Sequence, residues 1–101
     1  LDAAQEKGVW GIGVDADQGY LGSYVLTSAL KRVDTAVYDS IRDAKDGKFK
    51  GGQDAVYGLP QAGVGIGKFS AKTPKGVAAK VAQVKAQVAA GKIENIPTTV
   101  K

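Results

Sequence analysis

The chain has 101 residues and contains no Cys, Met or His, a length that supports one small domain. Without thiol or imidazole groups, a structural zinc site, a disulfide framework, a thiol nucleophile and an imidazole base are all excluded, and acid–base work would fall to carboxylates, Lys or Tyr. Fourteen Lys and Arg against ten Asp and Glu give a net charge of +4, with 44% hydrophobic and 24% charged residues, the make-up of a chain that folds. The basic residues are spread along the sequence with no interleaved aromatic stripe, which argues against a nucleic-acid groove. Apolar runs are a few residues long, far below the ~20 needed to span a bilayer, and an export signal would have to lie outside this sequence.

Leu1 to Gly8 reads as the last two turns of a helix stopped by Gly8, so the chain starts within an element. The expectation is a piece of a longer protein, made by proteolysis, cloning or gene fission; a complete short domain with a frayed first turn is the alternative. Val9 to Val14 is apolar and β-branched without polar alternation, which predicts a central parallel strand buried on both faces. Asp15 to Ser23 is a polar, glycine-bearing loop leaving its carboxyl end, and Tyr24 to Ser28 a second short strand. Val33, Val37, Ile41 and Ala44 recur at helical spacing, predicting an amphipathic helix over 30–46 that Gly47 stops.

After the basic turn Lys48 to Gln53, Ala55 to Leu59 and Gly63 to Gly67 read as two strands joined by Pro60-Gln61-Ala62. Thr73-Pro74 supplies a cap and a proline at the first helical position of a last helix that Gly91 ends. Its stripe of Val77, Val81, Val84 and Val88 should be buried, with Lys80, Gln83, Lys85 and Gln87 in water. Ile93 to Pro97 is extended. Alternating strands and helices predict an α/β fold with a mainly parallel sheet flanked by helices, and ligands in such folds sit beyond the carboxyl ends of the strands, here at Asp15 to Tyr20.

Three motifs can be set aside on spacing. Gly11-Ile12-Gly13-Val14-Asp15-Ala16 has the glycines of a dinucleotide fingerprint inside the strand rather than after it; small residues that let another element approach closely explain it better. Ala62 to Phe69 lacks the first glycine and the hydroxyl of a P-loop, and the calcium-loop positions that need Gly and Glu are Tyr20 and Leu26. No metal or cofactor is therefore expected. What remains is a carboxylate pair, Asp15 and Asp17, at a strand end with Lys31 downstream. A carboxylate accepting two hydrogen bonds and an ammonium donating to the same oxygens can hold vicinal hydroxyls, although most such aspartates cap turns.

Gly11-Ile12-Gly13-Val14-Asp15-Ala16-Asp17-Gln18, Val25 to Asp34, Gly63-Val64-Gly65 and the closing Gly91-Lys92-Ile93 before Pro97 together resemble the C-terminal part of the basic membrane protein family. These are substrate-binding lipoproteins of bacterial ABC importers, best known for nucleosides. The resemblance implies part of the C-terminal lobe of a type I periplasmic-binding-protein fold, with residues 1–101 a single partial domain and 92–101 a terminal extended segment on the hinge side. Asp15 matches the family aspartate on the ribose hydroxyls and Lys31 the lysine beside it, with Asp17, Gln18 and Tyr20 forming supporting or hinge-side structure. Gln61-Ala62 departs from the acidic residue and glycine usual before Gly63.

The implied function is a non-catalytic solute-binding component that delivers a nucleoside-like ligand to a membrane permease, periplasmic or extracellular and lipid-anchored in the complete protein. A regulatory protein of the same fold is the alternative; an enzyme with Asp15 or Asp17 as base lacks a visible nucleophile. The implied partners are the ligand, the permease and a complementary N-terminal piece or a second copy to cover the first strand; nucleic acid is not among them.

Overall fold

The computed structural model describes residues 1–97 and Thr99. Helix α1 (Asp2–Glu6) leads into strand β1 (Gly11–Asp15); a single 3₁₀ turn (Gly19–Leu21) lies before strand β2 (Val25–Lys31). Helix α2 (Val33–Lys45), strand β3 (Val64–Ile66) and helix α3 (Val77–Ala89) follow. The three helices end as the sequence implies, with Gly8, Gly47 and Gly91 all at φ between 64° and 69°, the left-handed stop that glycine takes without strain. The closing segment 92–101 was expected to be extended, but residues 98, 100 and 101 lie outside the described residues.

The sheet has the order β1-β2-β3, with β1 parallel and β3 antiparallel to β2, so it is mixed where a mainly parallel sheet was expected. The reason lies in how the chain returns. The Arg32 amide donates to the Gly63 carbonyl (2.7 Å), so the segment after α2 re-enters at the carboxyl end of β2 and can only run back along it. Beyond β3 the same antiparallel course is held by the Gly67 and Ser70 amides on the Ser28 and Leu26 carbonyls (both 2.8 Å).

Four further expectations are corrected. β1 sits at the edge of the described sheet rather than at its centre, so Ile12 and Val14 are 58% and 62% exposed while Gly11 and Gly13 are buried. Leu30 and Lys31 extend β2, so α2 starts at Val33 and Lys31 closes a strand instead of opening a helix. Ala55 to Leu59 is not a strand, because the Ala62 and Gly63 amides close a turn on the Leu59 and Gly58 carbonyls (both 3.0 Å) that a ladder would otherwise use. Finally, Thr73-Pro74 does not cap α3. Gly76 at φ 85° stands at its N-cap and breaks the helical path, leaving the Thr73 hydroxyl buried and unpartnered among the described residues.

Core formation is slight. Val25 is the one fully buried apolar side chain among the described residues, and no residue of α2 or α3 is buried. The α2 stripe is exposed, Ile41 at 65%. On α3, Val77, Val81 and Val88 are half-buried, Val84 is exposed, and Gln87, expected in water, is half-buried. A radius of gyration of 16.6 Å, against about 13 Å for a compact domain of this length, describes the same open arrangement.

Candidate ligand site at the carboxyl end of the parallel pair

Two parallel strands joined by residues 16–24 alone need a connection that lies flat on the sheet, since such crossovers usually run to a dozen residues or more. Gly13 makes this possible. A Cβ there would stand 2.5 Å from the Ser28 hydroxyl oxygen and 2.7 Å from Gln18 Oε1, so only a bare backbone lets the loop pass. The glycines of the apparent dinucleotide fingerprint therefore serve close approach.

The carboxyl end of the pair brings Asp15 and Lys31 together. β2 carries one extra residue at Leu26, since Gly11 pairs with Val25 but Ile12 with Thr27, and the register then sets Asp15 opposite Leu30. Lys31, one residue further, reaches back so that its Nζ lies 2.9 Å from Asp15 Oδ1. Both side chains are more than 60% exposed, so the pair is worth no more than about 1 kcal/mol and opens readily to an incoming polar group. Beside it Arg32 donates both Nε (3.1 Å) and Nη2 (3.0 Å) to Asp34, and this pairing holds the Asp34 carboxyl below its usual range.

Asp15 is also conformationally unusual. Its φ of 70° places a non-glycine residue in the left-handed region, and the Ala16 amide donates to the Val14 carbonyl (3.0 Å), closing a γ-turn centred on Asp15. Such a backbone costs on the order of 1–3 kcal/mol and persists where neighbouring bonds hold it. Next to this turn, Gln18 Oε1 accepts from the Val14 amide at 2.9 Å.

Asp17 and Gln18 meet beneath this turn. The Gln18 amide donates to the hydroxyl of Ser28 (3.0 Å), which is fully buried on β2, and that hydroxyl faces Asp17 Oδ1 at 3.5 Å. Asp17 accepts from the Lys68 amide (2.9 Å) and the Gly19 amide (3.1 Å), and these two bonds, the Lys68 one foremost, hold its carboxyl below the usual carboxylate range. The two carboxylates thus do different work, one facing an ammonium and one tying the loop to the segment after β3, rather than converging on a cation. Tyr20 stands apart. It is 81% exposed and lines a groove of about 680 Å³ with Asp17, Val25, Lys68 and Phe69, a groove to which neither Asp15 nor Lys31 contributes.

Ser28 and the Lys68 amide carry no sequence signal for this role. Ser28 lies inside a strand, and Lys68 is 51 residues from the aspartate it binds.

Solved structures share this arrangement of strands and helices. A transcriptional activator of the comK gene from Bacillus halodurans superposes over 94% of this chain with a TM-score of 0.82 at 25% identity, the match covering 34% of that chain. An ABC transporter solute-binding protein from Aeropyrum pernix K1 superposes over 97% with a TM-score of 0.64 at 25% identity, covering 36% of that chain. Residues 1–97 match the Bmp family, described as ABC transporter substrate-binding protein PnrA-like, and the chain belongs to that family of transporter binding proteins. The ABC transporter nucleoside-binding protein BmpA of Lactococcus lactis is 41% identical over 95 residues, 84% of this chain and 26% of that protein. The chain thus spans about a quarter to a third of the length of these proteins.

Proposed function

We propose that the chain supplies the ribose-binding edge of a two-lobed nucleoside-binding protein that serves an ABC importer. The observation that carries this is the Asp15–Lys31 pair at 2.9 Å, exposed at the carboxyl end of β1 and β2. A carboxylate can accept hydrogen bonds from both vicinal hydroxyls while the ammonium donates to one of their oxygens, and a ligand diol would replace the present mutual contact at little cost. The nucleoside-binding relative supports this ligand class. Closure of two lobes around the ligand would bury the pair, where charge-assisted hydrogen bonds count for more.

In this reading the second lobe, and the rest of this one, comes from the same polypeptide or from a second one. It also covers Ile12, Val14 and the α2 stripe. The assembled protein works outside the cytoplasm, lipid-anchored beside its permease, and carries out no chemistry on its ligand. The Bacillus halodurans neighbour, a transcriptional activator, favours a second reading, in which the same closure controls gene expression. A permease that stimulates ligand release from the assembly supports transport, whereas ligand-dependent change in transcription without uptake supports regulation. Calorimetric titration of the two-lobed assembly with a ribonucleoside, its 2′,3′-dideoxy analogue and the free base tests the site. Equal affinity for all three would refute it.

A further inference from the structure

We infer that Gln18 is a positioning residue that holds Asp15 in its left-handed turn and so aims the carboxylate at the hydroxyls of the ligand; the inference rests on the ribose reading of Asp15 and Lys31. Asp15 at φ 70° is sterically disfavoured and, left to itself, would return to the extended or right-handed regions. That rotation would swing its Cβ and carboxylate away from Lys31. Two hydrogen bonds on one residue oppose it. The Val14 carbonyl takes the Ala16 amide at 3.0 Å, which closes the turn, and the Val14 amide is held at 2.9 Å by Gln18 Oε1.

Gln18 can do this only because it is itself fixed. Its backbone amide is bonded to Ser28, whose side chain is fully buried on the central strand. Ser28 meets Asp17, and Asp17 is tied by its other carboxylate oxygen to the Lys68 amide across the sheet. A continuous run of contacts therefore leads from the segment after β3, through Asp17, Ser28 and Gln18, to the turn at Asp15. A binding group held this way keeps its geometry through the packing of other elements rather than through its own rotamer preference. The role is separate from base recognition, since none of these residues needs to touch the base.

The test compares Gln18→Leu, which removes the acceptor, with Gln18→Glu, which keeps an oxygen at the same reach, in the two-lobed assembly. The readout is the ratio of affinities for a ribonucleoside and its 2′,3′-dideoxy analogue, a ratio that loss of general stability does not alter. Gln18→Leu should lower ribonucleoside affinity by about tenfold, leave the dideoxy compound nearly unchanged, and speed hydrogen exchange at the Val14 amide, while Gln18→Glu keeps most of the discrimination. If Gln18→Leu does not fold, Ser28→Ala, which frees the Gln18 amide, should reduce the same ratio. An unmutated protein that does not discriminate overturns the ribose reading itself. A discriminating protein whose ratio survives Gln18→Leu, or Ser28→Ala in its place, overturns the positioning role alone.

Discussion

Gly13→Ala should be among the most damaging single-methyl additions in this chain. The new Cβ would meet Ser28 Oγ at 2.5 Å, Gln18 Oε1 at 2.7 Å and Gln18 Cβ at 2.9 Å, distances at which something must shift. What shifts is the loop, because Ser28 is fixed in the central strand. Overpacking of this kind costs about 1–3 kcal/mol, and displacement endangers both the Gln18 amide bond to Ser28 (3.0 Å) and the Val14 amide bond to Gln18 (2.9 Å), each worth ~0.5–1.5 kcal/mol. Replacing glycine in a strand returns about 0.5–1 kcal/mol, so the net loss is roughly 1–5 kcal/mol, with a fall in Tm of about 4–8 °C for each kcal/mol lost. Gly65→Ala is the control, since its Cβ would meet only Leu30 carbons at 3.9 Å and 4.0 Å and should change stability by less than about 1 kcal/mol either way. Urea unfolding followed by circular dichroism measures both. Equal effects at the two glycines would refute the idea that the loop lies on Gly13.

Lowering the pH should expose Asp17. Its carboxyl is held below the ordinary range in the folded chain, so its stabilising contribution is complete above the unfolded value of about 3.9 and is lost as pH falls through the lower folded value; Asp17→Asn should flatten that part of a stability-versus-pH curve, and an unchanged curve would refute it. On α3, Val81→Ala and Val88→Ala, at half-buried positions, should cost more than Val84→Ala, which at 38% exposure should cost below about 1 kcal/mol; urea midpoints in the opposite order would show that another face is packed. The chain by itself should bind an apolar dye and self-associate through Ile12, Val14 and the α2 stripe, and light scattering of a dye-silent monomer at high concentration would contradict this.

Helix stops and strand cores can be read from the sequence because they depend on local chemistry. Gly8, Gly47 and Gly91 end helices by a backbone conformation that other residues resist, and the β-branched run before Asp15 pairs wherever it finds a neighbour. The direction of β3 is not legible in this way, because it follows from where Gly63 meets Arg32, a contact 31 residues apart in the chain. The start of α3 departs from the sequence expectation for a local reason, since Gly76 at the N-cap, with its positive φ, overrides a Thr-Pro cap signal of the ordinary kind.

At the site, the pairing of Asp15 with Lys31 follows from the family resemblance, and the geometry brings the two together. The left-handed turn at Asp15 and its bracing through Ser28 have no sequence signature, because a positive φ at an aspartate depends on bonds made by its neighbours. That turn also changes which substitution is informative. Asparagine tolerates the left-handed region where alanine does not, so Asp15→Asn removes the charge without adding backbone strain.

The decisive measurement is calorimetric titration of the two-lobed assembly, unmutated and Asp15→Asn, with a ribonucleoside and its 2′,3′-dideoxy analogue. Charged hydrogen bonds to a buried ligand are worth about 1.5–3 kcal/mol, so Asp15→Asn should weaken ribonucleoside binding by roughly tenfold to a hundredfold. Binding of the dideoxy compound, already weaker, should hardly change. A ribonucleoside affinity that survives Asp15→Asn, or an unmutated protein indifferent to the hydroxyls, would contradict the assignment of Asp15 and Lys31 to the ribose.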